Sequence, residues 1–191
     1  MELLKEYIIE KGRVIADDVL KVDSFLNHQL DIGLYQAIGQ EFQQRFSQDS
    51  ISKILTIEAS GIGIACITAQ YFGNLPVVFA KKFSAKNLNP EVYESRVFSF
   101  TKGQFYQIRV DKKYLNSRDN ILIIDDFLAN GNAVLGLLDI VRQAGAKISG
   151  VGIVIEKSFQ DGREKILKEN VRLESLARIK SLEGGKVTFM D

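Results

Sequence analysis

Asp125 and Asp126 stand side by side at the end of the apolar run Ile121 to Ile124, and the chain then reads Ala129-Asn130-Gly131-Asn132-Ala133 as it enters a helical stretch. Adjacent carboxylates at a strand end can accept hydrogen bonds from neighbouring sugar hydroxyls. A turn that opens a helix offers unpaired N–H groups and the positive end of the helix dipole, both of which favour a phosphate. Pair and turn together suit a ribose 5-phosphate.

Other charges follow apolar runs in the same manner. Ile54 to Ile57 leads into Glu58-Ala59-Ser60-Gly61, Val77 to Ala80 into Lys81-Lys82, and Val151 to Ile155 into Glu156-Lys157. Ligands of open α/β sheets bind beyond the carboxyl ends of the strands, so these groups are expected to gather at one sheet edge. Any one charged pair is explained by a strand reaching the surface; four together point to a site.

The elements that must hold these residues follow from periodicity. The β-branched runs Ile54–Ile57, Val77–Ala80, Ile121–Ile124 and Val151–Ile155 alternate with helical stretches at Ile62–Phe72 and Asn132–Ala144. An amphipathic helix over Leu30–Phe46 precedes them, with Leu30, Leu34, Ile38, Phe42 and Phe46 on one stripe and Asp31 as its cap. Gly145 suits a left-handed C-terminal cap. This alternation predicts an α/β fold, a parallel sheet flanked by helices. Phe83 to Tyr114 breaks the rhythm: it holds Pro90 and then RVFSFTKGQFYQIRV, a hairpin turning at Lys102-Gly103, and reads as a flap. Met1–Gln29 and Val171–Asp191 are expected to pack as a small hood beside a core of residues 30–170, the whole forming one domain.

Composition excludes several classes. The chain has 191 residues, 46% of them hydrophobic, and its 25 basic against 24 acidic side chains leave a net charge of +1, too little for a broad nucleic-acid or membrane surface. The N-terminal MELLKEYIIEKGRV is too charged for a signal peptide and no apolar run could span a bilayer, so a cytoplasmic location is expected. Cys66, in an apolar stretch, reads as a small buried thiol. No repeat or low-complexity tract is present.

IIDDFLANGNA resembles the signature of the type I phosphoribosyltransferases, which bind phosphoribosyl pyrophosphate (PRPP) with an acidic pair and a phosphate-cradling turn. KVDSFLNHQ at Lys21 to Gln29, TIEASGI at Thr56 to Ile62, VVFAKK at Val77 to Lys82 and VIEKSFQ at Val154 to Gln160 extend the likeness over nearly the whole chain, towards the purine branch acting on xanthine. The resemblance implies a type I fold with a flexible flap and a small hood, and a homodimer that transfers phosphoribosyl from PRPP to a purine. Mg²⁺ is implied as the companion of PRPP, with no direct protein ligand. By the same likeness Asp125 and Asp126 hold the ribose, Ala129 to Ala133 the 5-phosphate, and Ala59, Ser60 and Gly61 the pyrophosphate, with Lys81 or Lys82 offsetting its charge. Lys157 would donate to a 6-oxo group, Phe159 would cover the base, and Leu20 and Asn27 would touch it from the hood. His28, the one histidine, is left outside the site.

The family more often has a small aliphatic residue where Phe127 stands and Thr or Ser where Asn130 stands. The Asn130 amide, or its use as a helix cap, is expected to replace the lost hydroxyl. Xanthine, hypoxanthine and guanine share the 6-oxo group, so the residues leave the base open among them. A PRPP-sensing regulator of DNA or RNA is the reading from another class; the neutral charge and the absence of room for a winged-helix domain weigh against it.

Overall fold

The computed structural model describes residues 1–83, 91–99 and 103–190. Helix α1 (Glu2–Lys11) leads into a small antiparallel pair, β1 (Arg13–Ile15) and β2 (Val19–Lys21), and then α2 (Ile32–Arg45). Alternation follows with β3 (Lys53–Ile57), α3 (Ser60–Tyr71), β4 (Val77–Phe83), the antiparallel β5 (Val92–Ser99) and β6 (Gln104–Asp111), β7 (Asn120–Leu128), α4 (Asn132–Gln143) and β8 (Lys147–Lys157). The chain closes with α5 (Gly162–Lys168), β9 (Leu173–Ser181) and β10 (Thr188–Phe189).

The main sheet runs β10-β9-β8-β7-β3-β4-β6-β5 among the described residues. Its centre, from β9 to β4, is parallel, as the alternation of strands and helices requires. Leu122 and Ile124 of β7 face a core shared with α1, α2 and α3; Ile121 and Ile123 face another, filled by Val134, Leu137, Leu138 and Val141 of α4. The helices after β3 and β7 therefore lie on opposite faces. The sheet order reverses between those two strands, and this is where an open α/β sheet forms its crevice.

Local chemistry sets the ends. The Asp31 carboxylate accepts from the Leu34 N–H at 3.1 Å and caps α2, and Gly145 closes α4 at φ +67°. Leu30 lies before α2 and is exposed, while Leu34, Ile38, Phe42 and Phe46 are buried.

The flap and the hood gain detail, and the expectation for Cys66 is corrected. The flap is built into the sheet: β6 pairs with β4, Val97 and Ile108 are buried, and a Cβ on Gly136 of α4 would meet Val97 at 2.6 Å. Residues 84–90 with Pro90, and Lys102 of the expected turn, lie outside the described residues; Gly103 has φ +61°. Within the C-terminal segment expected in the hood, β9 is a strand of the parallel sheet. Cys66 is exposed, since Ile64, Ala65, Thr68 and Ala69 take the inward side of α3. The two chain ends do meet: the Met1 ammonium donates to the Leu176 carbonyl at 2.8 Å, and the Gly185 N–H to Asp17 at 3.2 Å.

Candidate active site

β7 continues past its apolar run, so the acidic pair lies within the strand. Alternation puts Asp125 on the face of Ile121 and Ile123 and Asp126 on that of Leu122 and Ile124. Asp125 is 4% exposed, and its carboxylate accepts from the Asp126 N–H at 3.0 Å; Asp126 accepts from the Phe127 N–H at 3.0 Å. Burial raises the Asp125 carboxyl well above its ordinary value, the charge of Asp126 adds to the shift, and Lys82 opposes it. Each carboxylate also has a tyrosine within electrostatic reach, Tyr106 half-buried and Tyr35 buried. Burial, then Asp125, raises the Tyr106 phenol, and burial, then Asp126, pushes that of Tyr35 up to about 12.

After the pair, residues Phe127 to Val134 line a cleft of about 220 Å³, whose opposite wall is Val97, Phe98 and Tyr106 of the hairpin. Gly131 stands at φ +78° directly before α4 and is the residue in the capping position. Asn130, expected as a cap, does not fill that position. Asn132 spends its side-chain amide on the Phe98 carbonyl at 3.1 Å, tying the hairpin to the turn.

The Ala59-Ser60-Gly61 turn reaches the same crevice from β3. A Cβ on Gly61 would lie 2.0 Å from the Thr56 hydroxyl and 3.3 Å from Asp125 Oδ1, so only glycine brings this backbone so near the carboxylate. The Thr56 hydroxyl is buried and has no partner among the described residues. Glu58 accepts from the main-chain N–H of Lys82, which binds β3 to β4 at the crevice mouth.

Strand alternation separates the two lysines. Lys82 lies 5.6 Å from the Tyr106 ring and acts on Asp125. Lys81 points to the other face, 6.0 Å from the Phe79 ring, where with Arg109, Phe83 and Tyr114 it lines a cleft of about 520 Å³. Of the two candidates, only Lys82 joins the acidic pair within this chain.

At the end of β8, Lys157 is half-buried and donates to the Asp18 carbonyl of the hood at 2.6 Å; burial lowers its ammonium and Asp18 opposes the shift. Phe159 is 42% exposed. Asn27 and His28 are exposed, whereas Leu20 is packed in the core beside Gly12.

Glu156, expected at the charged edge, is turned inward and fully buried. It accepts from Ser158 at 2.6 Å, Arg163 at 2.7 Å, Arg178 at 3.2 Å and the Ser175 hydroxyl. Burial would raise its carboxyl, but the serine and arginine donors outweigh this and hold it below the ordinary 4.5. A carboxyl lowered in the fold stabilises it above that ordinary value, and the contribution is lost as pH falls through the folded one. Glu156→Gln is therefore expected to cost about 2 kcal/mol at neutral pH and to flatten the acid limb of a urea-unfolding series. An unchanged stability at pH 7 would contradict the hub role.

Sequence reading missed Tyr106, Thr56, Gly162 and Lys165, each of which reaches the site only through tertiary pairing. A Cβ on Gly162 would meet the Ala129 carbonyl at 2.2 Å and the Gly131 nitrogen at 2.9 Å, so α5 abuts the 129–133 turn.

Comparison with known proteins fits this geometry. Residues 23–180 match the model of the phosphoribosyl transferase domain. The chain is 62% identical to the xanthine phosphoribosyltransferase of Clostridium novyi (strain NT), over 99% of each chain. It is 59% identical, over 100% of each, to the xanthine phosphoribosyltransferase of Ruminiclostridium cellulolyticum. Among solved structures, the APRTase of Giardia lamblia complexed with 9-deazaadenine aligns with a TM-score of 0.77 at 23% identity, covering 92% of this chain and 97% of that one, a likeness of fold. The acidic pair, the glycine turns and the crevice at the sheet reversal all fall inside the matched segment, and the chain belongs to the phosphoribosyl transferase family.

Proposed function

We propose that this chain transfers the 5-phosphoribosyl group of PRPP to N9 of xanthine, releasing pyrophosphate and forming xanthosine 5'-monophosphate, as a cytoplasmic homodimer. The observation that carries the reading is the convergence of Asp125, Asp126, the 129–133 turn and the Gly61 turn on one crevice. Relatives of nearly equal length that carry the xanthine phosphoribosyltransferase name support the choice of base.

In this reaction the bond from ribose C1' to pyrophosphate oxygen breaks, the bond from C1' to N9 forms, and the N9 proton leaves to solvent. Positive charge gathers on the ribose and negative charge on the leaving group, so positioning and electrostatics can carry the step without a protein nucleophile. Asp125 and Asp126 hold the ribose hydroxyls and face its developing cation. Backbone N–H groups of Ala129, Asn130, Gly131, Asn132 and Ala133 hold the 5-phosphate. Ala59, Ser60 and Gly61 present main chain to the pyrophosphate, with Lys82 as the cation beside it. Tyr106, Val97 and Phe98 wall the cleft against water, the competing nucleophile.

Mg²⁺ would enter on PRPP with no direct protein ligand, and the negative charge of the acidic residues suits a crevice that receives a cation. When bound, Mg²⁺ supplies positive charge that offsets the charge growing on pyrophosphate.

Lys157 donates to the 6-oxo group, and Phe159 and the hood residues Asn27 and Leu20 bound the base. An ammonium there opposes the exocyclic amino group of adenine. Among the described residues no helix is long and apolar enough to cross a membrane. Exposed Phe79, Phe83 and Tyr114 give a second copy an apolar surface to bury.

The test is nucleotide formation with PRPP, Mg²⁺ and each purine in turn. Turnover of xanthine is expected to exceed that of hypoxanthine, guanine and adenine by at least about tenfold in kcat/KM. A higher rate with guanine or hypoxanthine would reassign the base, and no rate with any purine would overturn the reaction.

A further inference from the structure

The phosphate turn is held from behind by α5, an element outside the cleft. Lys165 of α5 donates to the main-chain carbonyl of Asn130 at 3.2 Å, and Asp161 fixes the same ammonium at 2.8 Å. The Gly162 N–H donates to the Ala129 carbonyl at 3.0 Å, with no space for a Cβ between the two backbones. The helix is itself anchored, because Arg163 reaches the buried Glu156 of β8 at 2.7 Å. Two carbonyls of the turn are thus bound to a fixed surface.

In a trans peptide the carbonyl and the next N–H point in opposite directions. With the Asn130 carbonyl drawn towards Lys165, the Gly131 N–H of that peptide points opposite to the Lys165 contact, and Asn130 and Gly131 both line the cleft. A cation on the carbonyl also polarises the peptide and strengthens its N–H as a donor. Residue 130 offers no hydroxyl here, and this bond works through the backbone that remains.

We propose that the first turn of α5 is a brace for the phosphate turn, with Lys165 as a positioning residue that sets PRPP affinity through the Asn130 carbonyl and Gly162 as the surface the turn rests on. The inference rests on the proposed PRPP site and deepens it.

The test compares the wild type with Lys165→Met, Lys165→Arg and Gly162→Ala, varying PRPP at saturating Mg²⁺ and xanthine. Lys165→Met is expected to raise KM for PRPP about five- to tenfold, with kcat at saturation and KM for xanthine within about twofold. Lys165→Arg restores a cationic donor and brings KM for PRPP back to within about twofold of wild type. Gly162→Ala, which must displace the turn, raises it at least as far as Lys165→Met. A KM for PRPP within twofold of wild type in Lys165→Met would overturn the brace. So would a rise in both KM values together with a lowered urea midpoint, which marks general loosening. Calorimetric titration with PRPP and Mg²⁺ reads the same ratio without turnover. Inactivity of the wild type towards every purine would therefore sink the proposed reaction and still leave the brace measurable.

Discussion

Replacing both Asp125 and Asp126 by Asn is expected to remove nucleotide formation while leaving the empty chain at least as stable as the wild type. Asn keeps an oxygen that accepts from the Asp126 and Phe127 N–H groups, so the local backbone bonds survive. What is lost is negative charge at the crevice. The Asp125 carboxyl is raised above its ordinary 3.8, first by burial and then by Asp126. A carboxyl raised in the fold contributes stability that is full below its unfolded value and is lost as pH rises through the folded one. Above the unfolded value the empty site therefore bears a cost that the neutral amide removes. Turnover is expected to fall by about a thousandfold, with a thermal midpoint about 2–5 °C higher. Near-normal turnover would sink the ribose role, and a collapsed midpoint would make the pair structural.

The second large effect is expected at Lys157. Its ammonium has three donors and the Asp18 carbonyl takes one, leaving two for the base. Lys157→Met keeps the length of the stem and deletes the charge, so KM for xanthine is expected to rise about 10- to 100-fold while that for PRPP is unchanged. Steady-state kinetics with each substrate varied separates the outcomes. An unchanged KM for xanthine would remove Lys157 from the base. A parallel rise for PRPP would show that the hood had shifted with the loss of the Asp18 contact.

The parallel strands and their helices were legible because one-sided burial writes a period into the sequence. Asp31, Gly145 and the alternation around Ile121 to Ala133 needed only local chemistry. β9 was not legible: Leu173, Leu176, Ala177 and Ile179 follow neither a strict alternation nor a helical stripe, because the strand is covered on both faces. The hairpin read as a flap because its polar residues dominate, while its attachment depends on ladder bonds to β4 that no local pattern encodes. The choice between Lys81 and Lys82 turned on strand parity, and a shift of one residue would have exchanged them. Glu156 looked like its charged neighbours until Ser158, Ser175, Arg163 and Arg178 closed on it, and three of those four come from other elements. Gly162 and Lys165 were invisible for the same reason, since the turn they touch lies across β8.

The reversal of the sheet between β3 and β7 also orders the birth of the molecule. During synthesis β3 emerges first, followed by α3, β4 and the hairpin, and only then by the strand that completes its ladder. Until β7 is released, the edge of β3 that will form the crevice has no partner, and the apolar residues destined for both cores remain open to water. Closing so distant a pair is slow, because the intervening chain must be ordered before the contact rewards it. A nascent chain halted before β7 is consequently the form most exposed to association with its own copies through that bare strand edge.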